Sequence, residues 1–360
     1  MRVLLVNTYP TRVHWGVEVV VENLMAGLRR KGHKADLLCL SDAELAVLQA
    51  LRFPEKFLIN SLLFSKLAPA AHKYDVLHFQ AYNSYIAKFV KSKPRVVTLH
   101  GSSFGLHERV AHAMAPHRLA YSRHVIERME REGTQNCDAV VAVSESVKNE
   151  AIRGYRIPHS KISIVHNAVV LDSKKKSKAA LRQELHLPID SPILITVTRG
   201  DYTKGTDMLV RICARLHAKY GAKLLVIGSI PANLRREWMI FAKPKHAEIW
   251  KYYQASDVYL NTSRYEGFGL AMLEAMGYGV PAVAFPVGIA PDAIKGGKNG
   301  YVVNRYDTLD YYDKVAKLIT NEKLRARLGK EAAKTVKKEF SIEKMVNGYL
   351  KVYLKLSEKS

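Results

Sequence analysis

Apolar positions along this 360-residue chain fall into two alternating patterns. Short unbroken apolar runs suit strands buried on both faces, and between them apolar residues recur every three or four positions, as they do on helices packed along one side. The run from Val3 to Val6 reads as a first strand, and the loop after it leads to Gly16. A helix follows, with Val20, Leu24 and Leu28 spaced by four and Val21 and Met25 beside them. Arg29, Arg30 and Lys31 complement the negative end of its dipole, and Gly32 stops it. Further strands are predicted at 35–40, 75–79, 96–100, 139–143 and 162–165, with helices around 108–132 and 145–153.

The pattern then breaks and restarts. Residues 171–178 are polar and lysine-rich, and Pro188 and Pro192 punctuate the approach to the next apolar run. The domain boundary is therefore placed after Asn167. The second half predicts strands at 193–197 and 224–227, near 238–241, and at 258–261 and 282–285. A helix bearing Leu209, Ile212, Cys213 and Leu216 lies after the first of them, and no full helix is expected after Ser229. A last amphipathic segment, 342–356, spaces Met345, Tyr349 and Tyr353 by four and is expected to pack back on the first domain. The prediction is an α/β protein of two Rossmann-like doubly wound domains, 1–167 and 168–341, with the 342–360 helix returning to the first. Their facing strand ends are expected to form a ligand cleft.

Composition narrows the classes. An apolar content of 48% is that of a folded globular protein. The N-terminal run is too short for a signal peptide, and the most apolar later region, 57–68, is interrupted by Asn60, Ser61, Ser65 and Lys66, so no transmembrane segment is expected. Cys39, Cys137 and Cys213 show no metal or redox spacing and read as reduced core residues of a cytosolic protein. The net charge, 56 − 33 = +23, creates a field that attracts phosphates, anionic lipid or nucleic acid. Lys88, Lys91, Lys93 and Arg95 form one cluster, and Arg118, Arg123, Arg128 and Arg131 another; Lys174 to Lys176 with Lys178 read as a solvated linker.

The stretch most specific for chemistry is Ser263-Arg-Tyr-Glu-Gly-Phe-Gly-Leu-Ala-Met-Leu-Glu-Ala-Met-Gly-Tyr-Gly-Val-Pro281. Gly267 and Gly269 let the backbone turn sharply and approach a ligand. A helix is expected from about Phe268, so that amides at Gly267, Phe268, Gly269 and Leu270 offer a phosphate site. Glu266 precedes that helix. Glu274 lies several residues inside it, at about 1.5 Å of rise each, which separates the carboxylates by roughly the span of a diphosphate. Glu274 is flanked by Leu270, Ala271, Met272, Leu273, Ala275 and Met276, so its carboxylate needs a partner. Arg199 and Lys204 follow another strand end, and His100 ends a strand before Gly101.

Glu266 and Glu274, with Gly-Phe-Gly-Leu between them, resemble the signature of the family 4 retaining glycosyltransferases of GT-B fold. The resemblance extends through Trp15-Gly16-Val17-Glu18, Leu99-His100-Gly101, Ala142-Val143-Ser144-Glu145-Ser146 and Val165-His166-Asn167-Ala168-Val169. It continues in Thr198-Arg199-Gly200, Lys204-Gly205, Gly288-Ile289-Ala290-Pro291 and Asn299-Gly300-Tyr301. Trp15, Ala168 and Thr198 stand where the family commonly has glycine.

The resemblance implies transfer of a hexose-type sugar from a nucleoside-diphosphate sugar to a hydroxyl of a lipid-linked, glycan or small acceptor. It implies no cofactor and no metal, and no Asp-x-Asp pair follows a strand. Arg199 and Lys204 would then neutralise the diphosphate, Glu266 and His100 would bond the transferred sugar, Glu274 the ribose, and Gly16 would let the first-domain loop approach the phosphates. The basic first domain and the apolar, lysine-punctuated stretch 45–67 suggest an anionic membrane surface as a partner, placing a cytoplasmic protein on the inner face of the cell membrane. Two other readings stay open at this point: a GT-B-fold sugar-nucleotide epimerase or phosphorylase, and a non-catalytic binder of polyanions.

Overall fold

The structure, a computed structural model, describes residues 1–11, 16–50 and 55–358. It divides into two compact units, Met1–Ala168 with Ile342–Ser360, and Val169–Ser341.

The first unit is built on a parallel sheet of β1 (Arg2–Val6), β2 (Lys34–Leu38), β3 (Val76–Gln80), β4 (Arg95–Leu99), β5 (Ala139–Ala142) and β6 (Ile162–Ile164). Its order is β2-β1-β3-β4-β5-β6, so the winding direction reverses between β1 and β3. The helix Gly16–Arg30 buries Val20, Val21, Leu24 and Leu28, the face that its spacing predicted. The helix Ile342–Ser357 belongs to this unit and buries Met345, Val346, Tyr349, Val352 and Tyr353, each apolar body contributing roughly 2 kcal/mol. The tyrosine hydroxyls are not left unpaired. Tyr349 is hydrogen-bonded to Thr98 of β4 at 3.0 Å, and Tyr353 to His78 of β3 at 2.8 Å.

One expected helix, 108–132, is several. Ser103–Val110 and Pro116–Tyr121 are separate α-helices, Ser122–Glu127 is a turn of π-helix, and Arg128–Asn136 is α-helical again. Pro116 forces Ala115 out of the helical region, to φ −59° and ψ 137°, which no apolar periodicity reveals. Cys137 and Cys213 are buried, whereas Cys39 is only half-buried.

The second unit contains β7 (Ile193–Thr198), β8 (Lys223–Gly228), β9 (Met239–Ala242), β10 (Val258–Asn261), β11 (Ala282–Ala284) and β12 (Gly300–Val302). Its parallel sheet has the order β12-β11-β10-β7-β8-β9, with the reversal between β7 and β10. Leu194, Leu209, Ile212, Leu216, Leu224, Val226, Leu260 and Val283 join the sheet to its helices in one buried cluster. β12 was not anticipated; three residues opening on a glycine carry no periodic signal. After Ser229 the chain makes only the short turn Ala232–Leu234 before β9, and the helix Ile249–Ala255 comes later. Both units are therefore Rossmann-like, each a six-stranded parallel sheet with flanking helices.

Candidate functional site

Ligands of open parallel sheets bind beyond the carboxyl ends of the strands, where the winding reverses. In the second unit that place is marked by the loops after β7 and β10, and the sequence puts Arg199 and Lys204 on the first and Glu266 on the second. The two loops are fastened to one another. Thr262 donates its hydroxyl to the carbonyls of Lys204 and Gly205, both at 3.2 Å, and the Arg264 amide donates to the Thr203 carbonyl at 2.7 Å. Gly205 is required here, because a Cβ would collide with the Thr262 carbonyl oxygen.

Arg264 is the clamp that the sequence did not single out. Its guanidinium is buried, grips Asp207 with two bonds of 2.7 Å, donates to the Tyr202 carbonyl at 2.9 Å and stacks 3.7 Å from the Tyr202 ring. Burial alone would raise the Asp207 carboxyl, but the two-pronged bond from Arg264 outweighs it and holds the group below the ordinary range. The only sequence signal was an arginine three residues past the end of a strand.

Held in this frame, Lys204 Nζ donates to Glu266 Oε1 at 2.5 Å, and Ser263 Oγ donates to the same oxygen at 2.9 Å. Lys204 and Glu266 are each about four-fifths buried, with side-chain exposures of 19% and 18%. Among the described residues, Oε2 of Glu266 takes no bond, so an acceptor remains for a ligand hydroxyl. Arg199 is different: its side chain is 78% exposed and lies 3.3 Å from Asp201. It is a solvent-exposed cation in a surface ion pair rather than a buried one.

The helix after the glycine motif is Leu270–Gly277, starting two residues later than expected because Gly269 sits at φ +106° and ends the preceding turn. The Phe268 carbonyl accepts from the Ile289 amide at 2.7 Å, which ties the motif to the loop after β11. Phe268 itself is buried, its ring 6.3 Å from that of Phe340, so its side chain serves the core. Glu274, on the second turn, accepts from the Tyr253 hydroxyl at 2.9 Å through Oε2. Burial pushes the Glu274 carboxyl up, against the hydroxyl bond and the nearby His246. Tyr253 is the partner that the apolar surroundings demanded.

In the first unit, His100 directly follows β4 and is half-buried. Its Nε2 lies 2.8 Å from Oε1 of Gln80, the last residue of β3, and burial pushes the imidazole down to about 4, so it is neutral at physiological pH. The turn after it is held from below. Ser102 caps the helix Ser103–Val110 by accepting from the Gly105 amide and donates to buried Glu150 at 2.6 Å, while the Ser103 amide donates to buried Glu130 at 2.8 Å. Tyr155 also donates to Glu130. Gly16 is exposed and opens the helix Gly16–Arg30; Trp15 lies outside the described residues. Two residues on, Glu18 is buried and accepts from the Asn7 side chain at 3.1 Å, fixing the helix start to the end of β1. Among the described residues no three His, Cys, Asp or Glu side chains group to hold a metal, and no helix is long and apolar enough to cross a membrane.

Two parallel six-stranded sheets, with a lysine–carboxylate pair at the reversal point of the second and a glycine-led helix beside it, define a glycosyltransferase of GT-B fold. Residues 16–173 match the family model described as Glycosyltransferase Family 4, and residues 177–335 match that described as Glycosyl transferases group 1. The chain belongs to this family and is an enzyme of its class. It is 28% identical over 312 residues to an N-acetyl-alpha-D-glucosaminyl L-malate synthase of Bacillus anthracis, across 81% of this chain and 78% of that protein. Among solved structures, a sucrose-phosphate synthase of Thermosynechococcus elongatus superposes over the whole of both chains with a TM-score of 0.81 at 19% identity. Anabaena HepE, solved in complex with UDP and glucose, gives 0.77 at 18% identity over 99% of this chain and 100% of its own.

Proposed function

We propose that this glycosyltransferase moves a hexose-type sugar from a nucleoside-diphosphate sugar to a hydroxyl of a lipid-linked, glycan or small-molecule acceptor, with retention of anomeric configuration. The observation that carries the reading is the Lys204–Glu266 pair at the strand-order reversal, next to a helix start with a left-handed glycine. An ammonium has more donors than the one Glu266 takes, so Lys204 can bond diphosphate oxygens while still orienting the carboxylate. Arg199 adds an exposed cation, and the amides of Gly267, Phe268, Gly269 and Leu270 add dipoles of the same sign. Together they stabilise the charge that develops on the leaving diphosphate.

Glu266 then accepts from hydroxyls of the transferred sugar, and Glu274 from those of the ribose. His100, neutral, bonds the transferred sugar, and Gly16 leaves room for a phosphate beside the loop it ends. The glycosidic C–O bond to phosphate breaks, the acceptor oxygen attacks the same face, and the departing phosphate takes the acceptor proton. No residue forms a covalent bond to the sugar in this course, and the reaction rests on positioning and charge stabilisation. The relatedness to an N-acetyl-alpha-D-glucosaminyl L-malate synthase and the UDP of the HepE complex support a nucleotide-sugar donor. Incubation with uridine, guanosine and adenosine diphosphate sugars tests it: one is consumed with release of its nucleoside diphosphate, and Glu266→Ala abolishes the release. Consumption of none, or full activity of the variant, contradicts the reading.

The acceptor side is proposed to meet an anionic membrane from the cytoplasmic face. Support comes from Phe57 and Phe89, exposed by 54% and 58%, with the Phe64 ring tilted 59° to that of Phe89 at 5.4 Å and Lys88 3.7 Å over the Tyr85 ring. Residues 51–54 of the apolar stretch lie outside the described residues. Co-sedimentation with anionic vesicles at low salt, lost in Phe57→Ser with Phe89→Ser, checks this; indifference to anionic vesicles refutes it.

A further inference from the structure

β3 and β4 carry a ladder of polar side chains that the proposed reaction uses only at its end. Residues two apart on a strand share a face, which puts His78 with Gln80 on β3 and Thr98 beside them on β4, with His100 directly after that strand. His78 Nε2 is 2.7 Å from Thr98 Oγ1, its Nδ1 is 2.8 Å from the Tyr353 hydroxyl, and Thr98 Oγ1 is 3.0 Å from the Tyr349 hydroxyl. At the ligand end of the ladder, Gln80 is only 3% exposed and meets His100 Nε2 through its side-chain amide. The other end of that amide, Nε2, is buried with no hydrogen-bond partner among the described residues. His100 makes no second hydrogen bond among them.

A glutamine's amide oxygen and nitrogen are alike in size, so Gln80 can turn either one toward His100. With the oxygen turned toward it, His100 Nε2 carries the proton and both amide N–H groups of Gln80 are buried unpaired. With the nitrogen turned toward it, one of those N–H groups is satisfied and the carbonyl oxygen takes the empty place. Orphaned buried N–H groups are rarer in proteins than under-satisfied carbonyl oxygens, so the second arrangement is favoured. A neutral imidazole that accepts at Nε2 must hold its proton on Nδ1.

We propose that Gln80 is a positioning residue for His100: by donating to Nε2 it fixes the proton on Nδ1, so that His100 faces its ligand as a hydrogen-bond donor. The proposal rests on the reading of His100 as a ligand of the transferred sugar. A donor at Nδ1 bonds a sugar oxygen without removing its proton, which suits a reaction in which the leaving phosphate is the base. The reverse tautomer would offer a lone pair instead. His78 faces this pair from β3, with Tyr349 and Tyr353 of the C-terminal helix behind it, and burial keeps His78 neutral, so no fixed charge there competes for the choice of tautomer.

The test is nitrogen-15 NMR of the full chain labelled at histidine, with the His100 signals assigned by their loss in His100→Ala. The expected spectrum shows His100 protonated on Nδ1 in the wild type, and a mixture of tautomers in Gln80→Met, which keeps the volume but not the donor. In Gln80→Glu, whose carboxylate accepts rather than donates, Nε2 becomes protonated and the His100 titration midpoint rises by about one unit or more. Turnover falls about tenfold in Gln80→Met, the worth of one hydrogen bond, with nucleoside diphosphate affinity unchanged. An Nε2-protonated wild type overturns the proposal, as does an Nδ1-protonated spectrum unchanged in Gln80→Met. Should Gln80→Met fail to fold, Gln80→Glu decides alone: no change of tautomer and no shift of midpoint overturn it. Full turnover in His100→Ala would instead defeat the sugar-ligand reading, whatever the spectra show.

Discussion

The strand ends of the two units place opposite kinds of chemistry on similar scaffolds. After β7 and β10 the second unit sets a charged pair, Lys204 and Glu266, and locks the loops carrying it with a second pair, Arg264 and Asp207. At the ends of β3 and β4 the first unit sets Gln80 and a histidine kept neutral by burial, with the carboxylates Glu130 and Glu150 buried below and bonded to the serines that follow. The difference teaches what each half is suited to do. Under the proposed reaction, fixed charge in a half-buried frame would meet a diphosphate whose charge grows, whereas neutral groups would sort the hydroxyls of a sugar without drawing a second anion.

The sharpest way to break the comparison is Lys204→Ala. Removing one preorganised charge donor should lower turnover by about a hundredfold to a thousandfold at saturating donor, read from initial rates. A loss below about threefold would mean that the charged pair is structural.

Next in size is Arg264→Ala, which opens the two-pronged bond but leaves Asp207 partly solvated; a stability loss of about 2 kcal/mol is expected in denaturant titration. Arg199→Ala, which removes an exposed cation, should leave the midpoint unchanged. Glu274→Ala should weaken nucleoside diphosphate binding about tenfold by calorimetry, while Glu266→Ala and His100→Ala mainly slow transfer. Equal affinity and turnover in all three would remove the division of roles.

A pH dependence sharpens the neutral side. Burial pushes His100 down to about 4 and His78 to about 3, from an ordinary 6.5. The unfolded chain takes up protons at these histidines near pH 6.5 that the fold refuses, so stability is full above that pH and declines as pH falls from there through about 4 and about 3. Melting temperatures across that window should drop, and less steeply in His100→Asn. A flat profile would mean that these imidazoles are more solvated than the fold implies.

How far the chain could be read beforehand depended on the range of the interaction. Strand β10 was predicted at its observed bounds, and the helix Gly16–Arg30 buries the predicted face, because both follow from neighbouring residues. The helices between 103 and 136 were read as one, around 108–132, because apolar spacing carries no mark of the break at Pro116. Glu266, Lys204 and Glu274 were visible as residue types beside strand ends and glycines. Their partners were not: Tyr253 is 21 residues from Glu274, and Asp207 is 57 from Arg264, separations at which nothing local signals contact. Phe268 was grouped with the ligand loop by position, whereas only packing against Phe340 reveals that its ring turns inward. Gln80 belongs to no motif and stands out only through the bond to His100 and the unpaired amide behind it.

The claim on which the rest depends is that the strand ends of the second unit grip a nucleoside diphosphate through Lys204. Calorimetric titration of the full chain with uridine, guanosine and adenosine diphosphates, repeated on Lys204→Ala, tests it most directly. The account predicts that one nucleotide binds the wild type and that the variant binds it at least about tenfold more weakly. Equal affinity of the two proteins for that nucleotide, or binding of none by the wild type, would contradict it.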